Sequence, residues 1–131
     1  ASTSLWQAIR DVELLEDVAG DIWKLSCAPA SAPSIIAALL DQFDLAYFAD
    51  WAGGLLWLAG PSGVEFGAAL RAALAANGSG YAQLIRDQGN SKAVIAPFQP
   101  LPAAHYALHK RVKAAFDPMS VLNFGRMHDG I

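Results

Sequence analysis

The sequence is short of charge. Asp, Glu, Lys and Arg make up 16% of its 131 residues, against about 25% in ordinary globular domains. Charges this sparse coat a surface thinly, so an apolar patch is expected that another domain or subunit covers. Cysteine is nearly absent as well. Cys27 stands alone, which excludes an internal disulfide and fits a reducing compartment. No apolar run approaches the roughly 18 residues of a membrane-spanning helix. Nor does a basic segment ahead of an apolar core mark a signal peptide, so the expected location is cytoplasmic. Basic residues are not in excess: the net charge is -3 and the pI about 5.4. That argues against nucleic acid, whose phosphates select a basic surface. The aromatic-and-basic strand of an RNA-binding sheet is missing too.

The familiar catalytic signatures are also absent. Gly78-Ser79-Gly80 follows a predicted helix and precedes a predicted strand, the reverse of a dinucleotide-binding turn. Gly60-Pro61-Ser62-Gly63 lacks the Lys-Ser/Thr ending of a phosphate loop, and no Gly-x-Ser-x-Gly elbow occurs. His105 and His109 lie four apart on a predicted helix, a spacing that allows two imidazoles to share a metal. With no evident third ligand, a structural or surface role stands beside that reading, and no metal site is expected. Cys27 has no base near it in sequence and reads as a small core residue. No catalytic residue is expected within this chain.

What is present is hydrophobic periodicity, enough for one domain over residues 1–131 with a real core. Leu5, Trp6 and Ile9 share one side of a short opening helix with Ser4 as a candidate N-cap, and an acidic, partly helical connection runs from Asp11 to Asp21. Trp23, Leu25 and Cys27 alternate along a strand. After the Ala28 to Pro33 loop, Ser34 is a candidate cap for a helix carrying Ile35, Ile36, Leu39, Leu40 and Phe43. Leu45 to Trp51 predicts a second strand and Leu55 to Ala59 a third, joined by a Gly53-Gly54 turn. A helix from about Val64 to Ala76 stops at Asn77-Gly78, and Tyr81 to Arg86 forms a fourth strand. Asp87 to Pro102 is longer than most connections, a candidate functional or interface loop. A final helix starts near Ala103.

The order strand-helix-strand-strand-helix-strand, with a helix at each end, predicts an α+β, ferredoxin-like βαββαβ fold. It has a four-stranded antiparallel sheet with helices on one face. The second face, also largely apolar, is then expected to meet something else, in the simplest case a second copy.

On the final helix, Leu108, Val112 and Phe116 recur every fourth residue. Asp117-Pro118 ends that helix, and Asn123-Phe124-Gly125 follows as a turn. This combination resembles the C-terminal end of FAD-linked oxidases of the vanillyl-alcohol oxidase type, with Ser120 where the family usually has Gly and Phe124 where it usually has Pro. Ile22-Trp23-Lys24-Leu25-Ser26 and Asp50-Trp51-Ala52-Gly53-Gly54-Leu55-Leu56-Trp57-Leu58 resemble a strand and a hairpin of the FAD-binding E-type subunit of bacterial glycolate oxidase.

The resemblance implies a C-terminal cap domain, packed over FAD that an N-terminal domain outside this chain mainly holds. It also implies partners: that flavin domain, a second flavoprotein subunit and an iron–sulfur subunit, with any membrane association arising through the complex. None of the three histidines follows a Glu, so the Glu-His-Gly motif of the second flavoprotein subunit is missing. Asn123 and Arg126 are the candidate contacts on the FAD side, Asn123 holding the turn and Arg126 reaching a carboxylate or phosphate. Asp50, Trp51 and Trp57 are candidates for a substrate-facing or interface edge, against plain aromatic packing. Lys110 and Arg111 stand between contact with the flavin domain or an acidic partner and simple compensation of the helix dipole. The alternative is a stand-alone dimeric ferredoxin-like module, enzyme or not, whose paired sheets enclose a small apolar ligand.

Overall fold

The computed structural model describes residues 2–131. Four strands, β1 (Asp21–Cys27), β2 (Ala46–Asp50), β3 (Leu55–Gly60) and β4 (Gly80–Arg86), alternate with α1 (Ser2–Asp11), α2 (Ala32–Leu40), α3 (Val64–Ala76) and α4 (Ala103–Phe116). They form one sheet in the order β2-β3-β1-β4, every neighbouring pair antiparallel. β1 and β2 therefore run parallel with β3 between them, and β3 and β4 run parallel with β1 between them. This is the split βαβ arrangement of a ferredoxin-like α+β fold.

The period-two pattern decides the faces. Trp23, Leu25, Leu56, Leu58, Ala82 and Leu84 point toward α2 and α3, where Ile35, Ile36 and Leu39 meet Phe66, Leu70 and Leu74 in the main core. Each fully buried Leu or Phe there contributes about 1.5–3 kcal/mol. Gly67 permits the close approach of α3 to the sheet, since a Cβ at this position would lie 2.3 Å from Ile95 Cδ1 and 2.9 Å from Trp23 Cζ2.

The second face is not left wholly to a partner. Val12 and Leu15, in and beside a short 3-10 turn after α1, pack on Ile22 and Ala59, with Val18, Ala46, Phe48 and Trp57 around them. The acidic connection thus caps one end of that face through its interleaved apolar residues.

Several local expectations shift. α1 begins at Ser2 and α2 at Ala32, so Ser4 and Ser34 lie inside their helices instead of capping them. Ser31 occupies the cap of α2, but its hydroxyl donates to the Asn77 carbonyl at 2.8 Å and ties α2 to the end of α3. Trp51 belongs to a 3-10 turn after β2, not to the strand.

The connection from Asp87 to Pro102 is pinned along its length. Ile95 enters the core. Leu84 N–H donates to the Pro97 carbonyl at 2.7 Å, and the Arg71 guanidinium donates to the carbonyls of Ala96 and Phe98. The segment is a strap along the β4 edge. No helix of the described residues is long and apolar enough to cross a membrane.

Candidate functional site

The candidate residues fall on two separate surfaces. The first is built by α4 and the tail. Asp117 ends α4 and gathers the returning chain. Its carboxylate takes Lys113 Nζ at 2.6 Å and the backbone N–H groups of Val121 and Leu122 at 3.1 and 2.9 Å. Lys113 also donates to the Leu122 carbonyl. The Lys113 ammonium, and after it the Leu122 N–H, hold the Asp117 carboxyl below its ordinary value.

The tail then folds back along the helix. Tyr106 Oη donates to the Asp129 carbonyl at 2.8 Å, and the His128 ring lies 6.1 Å from both the His109 and Phe98 rings. The Phe98 contact fastens this unit to the strap at the β4 edge. His109 thus packs edge-on against the His128 ring, and no cluster of metal-ligating side chains occurs among the described residues.

No residue of α4 is buried. Leu108 and Val112 are half exposed and Phe116 is 86% exposed, and Met119, Val121, Leu122 and Phe124 in the tail are open as well. Leu108, His109, Val112, Lys113, Phe116 and Ile131 line a shallow groove of about 470 Å³. At 100° per residue, Arg111 borders this apolar stripe while Lys110 lies on the opposite side of the helix. Among the described residues the ion pairs are Arg10–Asp11 and Lys113–Asp117, so Lys110, Arg111 and Arg126 present charges without an acidic partner.

Asn123 and Arg126 share one turn. Asn123 has φ 50° and Gly125 φ 70°, and Arg126 N–H donates to the Asn123 carbonyl at 3.1 Å. Together they border a depression of about 190 Å³, below the roughly 300 Å³ at which pockets begin to enclose a small molecule. The depression is too small to enclose a flavin by itself.

The second surface is the β2 edge with its hairpin end. Asp50 accepts Trp51 N–H at 2.7 Å, which holds a turn with φ values of 50°, 54° and 91° at Trp51, Ala52 and Gly53. Left-handed geometry costs a non-glycine residue about 1–2 kcal/mol, yet Trp51 is 73% exposed and recovers little of this by burial. Trp57 behaves differently. It lies half buried on the second sheet face, stacked on Phe48 at 6.2 Å, with Lys24 Nζ 5.6 Å from its ring centre. Trp57 packs; Trp51 is presented.

Beside this edge, between α2 and β2, runs an apolar groove of about 450 Å³ lined by Pro29, Pro33, Ile36, Leu40, Tyr47, Ala49 and Leu56. It went unforeseen because its walls come from residues that alternation places merely on the helix side of β2. Cys27 sits near the hairpin end, its Sγ 3.7 Å from the Gly53 carbonyl. Burial pushes its thiol up, away from the reactive thiolate.

A third cluster also escaped sequence reasoning. Asp21 is fully buried and accepts Ser62 Oγ at 2.8 Å, Gln88 N–H at 3.0 Å and the Ser91 hydroxyl. It joins the start of β1, the turn before α3 and the strap. All of its bonds go to structural partners, so it is a fastening.

No family model matches the chain, and neither a curated protein nor a solved structure matches it.

Proposed function

We propose that the chain is the C-terminal cap domain of an FAD-dependent 2-hydroxy-acid oxidoreductase of the glycolate oxidase type. It lies over a flavin that a separate FAD-binding domain holds. One observation carries the reading: α4 and its tail form an ordered surface, fastened by Asp117, whose apolar side chains stay in solvent. Contiguous apolar patches of this kind mark interaction sites. The Asp-Pro helix stop and the Asn-x-Gly turn that resemble the oxidase family build this same surface.

FAD, when bound, supplies the hydride chemistry. Leu108, Val112 and Phe116 then exclude water along the domain junction. Arg111 and Arg126, at the border of the apolar stripe and on the tail turn, meet carboxylates or phosphates on the facing domain. Trp51 and Asp50 lie on the other surface, away from this junction. The protein works in the cytoplasm, beside a second flavoprotein subunit and an iron–sulfur subunit.

The test mixes the purified chain with a separately expressed flavin domain of a glycolate oxidase E-type subunit on a sizing column. Co-elution with flavin absorbance is the expected result, lost in a Phe116→Ser/Leu122→Ser variant whose melting is unchanged. Separate elution, or co-elution indifferent to those substitutions, overturns the reading.

A further inference from the structure

The two edges of the sheet are treated differently. β4 is covered by the strap through the bond from Leu84 N–H to Pro97. β2 pairs with β3 on one side, and among the described residues its other side has no backbone partner. Natural edge strands are usually blunted by short length, charges, proline or a bulge. Ala46-Tyr47-Phe48-Ala49-Asp50 is short and ends in one charge, Asp50, but has no lysine, proline or bulge, and its pairing with β3 is regular. Beside this bare edge lie the α2–β2 groove and the strained, exposed Trp51.

We infer that β2 is the interface between two copies of this chain, which pair antiparallel about Phe48 into one continuous eight-stranded sheet. The side chains argue for a second copy as the occupant. A two-fold axis at Phe48 sets Tyr47 opposite Ala49 of the other copy, large against small, so that each tyrosine ring covers the mouth of the joined grooves. On the second face it sets Phe48 against Phe48 and extends the existing Phe48–Trp57 stack into a row of four rings. Asp50 falls opposite Ala46, so within the paired strands no like charges stand directly opposite. Trp51, in the turn just past β2, comes near Leu45, just before the other copy's β2, an apolar neighbour for that exposed ring.

The area is sufficient, narrowly. An aromatic side chain offers about 150–250 Å². With Tyr47 46% and Trp51 73% exposed, the two copies together have on the order of 500 Å² of aromatic surface to cover. Leu40 and the paired backbone edges raise the total to about 1,000 Å², the lower bound for a specific interface. The dimer therefore dissociates on dilution. It leaves the α4–tail surface free and is independent of the cap-domain reading.

Sedimentation of the full chain across a dilution series tests this, alongside a Tyr47→Lys/Ala49→Lys variant. Both positions face solvent in the single chain, so the variant is expected to melt like the wild type. The wild type is expected to shift from dimer to monomer on dilution, with the amides of residues 46–50 that point away from β3 protected from hydrogen exchange only in the dimer. The variant, with lysines facing lysines, is expected to weaken association about 30-fold or more. A wild type that stays monomeric overturns the inference, as does a dimer that survives the variant or leaves the outward-pointing amides of residues 46–50 unprotected. Protection of those amides in a monomer by an added apolar peptide, without dimerisation, would assign the edge to a foreign strand and also overturn it. Failure here leaves co-elution with the flavin domain unaffected, so the two proposals fail separately.

Discussion

Asp21 is the side chain whose loss should cost the fold most for its size. Asp21→Ala removes the acceptor of the Ser62 and Ser91 hydroxyls and of the Gln88 N–H. Ser62 is exposed and can turn to water, whereas Ser91 is buried and keeps the full penalty of an unsatisfied group. Gln88, like Ser62, is exposed, so at about 1–3 kcal/mol for a group left unpaired inside, Ser91 predicts a loss of about 2 kcal/mol. For a urea slope of about 1.5 kcal/mol per molar, the unfolding midpoint falls by about 1.3 M. Asp21→Asn keeps one acceptor and should lose less.

The pH dependence has a definite sign. Burial pushes the Asp21 carboxyl up, but the hydroxyls of Ser91 and Ser62 and the N–H groups of Gln88 and Gly89 pull it down further, leaving it below the ordinary aspartate value. A carboxyl depressed by folding stabilises above its unfolded pKa and loses that contribution as pH falls through the folded one. The stability gap between wild type and Asp21→Asn should therefore narrow on acidification below about pH 4. Urea titrations of the three proteins at neutral and acid pH provide the assay. An Asp21→Ala variant within about 1 kcal/mol of wild type, or a gap that does not change with pH, would refute the reasoning.

Two further outcomes follow from close contacts. Gly67→Ala should destabilise by about 1–3 kcal/mol through overpacking against Ile95 and Trp23, and adding Ile95→Val, which removes the atom 2.3 Å from the new methyl, should restore part of the loss in a thermal melt. Asp117→Ala should release the tail while sparing the sheet, seen as collapsed NMR shift dispersion for residues 119–131 with unchanged β1 and β3 signals. In the wild type the same release should begin as pH falls through the depressed Asp117 value, since protonation removes the Lys113 pair and weakens the two backbone contacts.

The elements were legible because their signals are local. Alternation placed Trp23 and Leu25 on the buried face of β1, and fourfold recurrence placed Phe66, Leu70 and Leu74 in α3. Asn77-Gly78 stopped that helix where expected, with Gly78 at φ 120°. Trp51 was misassigned because an aromatic after an alternating run looks like more strand. The Asp50 carboxylate, by taking the Trp51 N–H, turns the chain one residue early. The caps at Ser4 and Ser34 failed for a related reason: the chain entered each helix sooner, and a proline inside the first turn of α2 suits such a start.

The candidate site was only half legible. Sequence pointed to Asn123, Arg126, Lys110 and Arg111 near one end and to Asp50, Trp51 and Trp57 in the middle. It could not tell that these lie on two surfaces, because sheet order sends the hairpin to the β2 edge and fastens the tail to the strap along β4. The hydrogen bonds of Asp21 to Ser62 and Ser91 span 41 and 70 residues, and no window of sequence contains them.

By itself, then, the sequence determined which residues are helical, which are extended and which side of each element is apolar, since backbone geometry translates spacing directly into facing. It determined that Leu108, Val112 and Phe116 form a stripe. Only the tertiary structure decided that this stripe stays half to fully exposed among the described residues while the equally apolar stripe of α3 is buried, that the strap covers β4, and that β2 is left bare. Periodicity names a face; what lies against it depends on where distant segments are brought by the order of the strands.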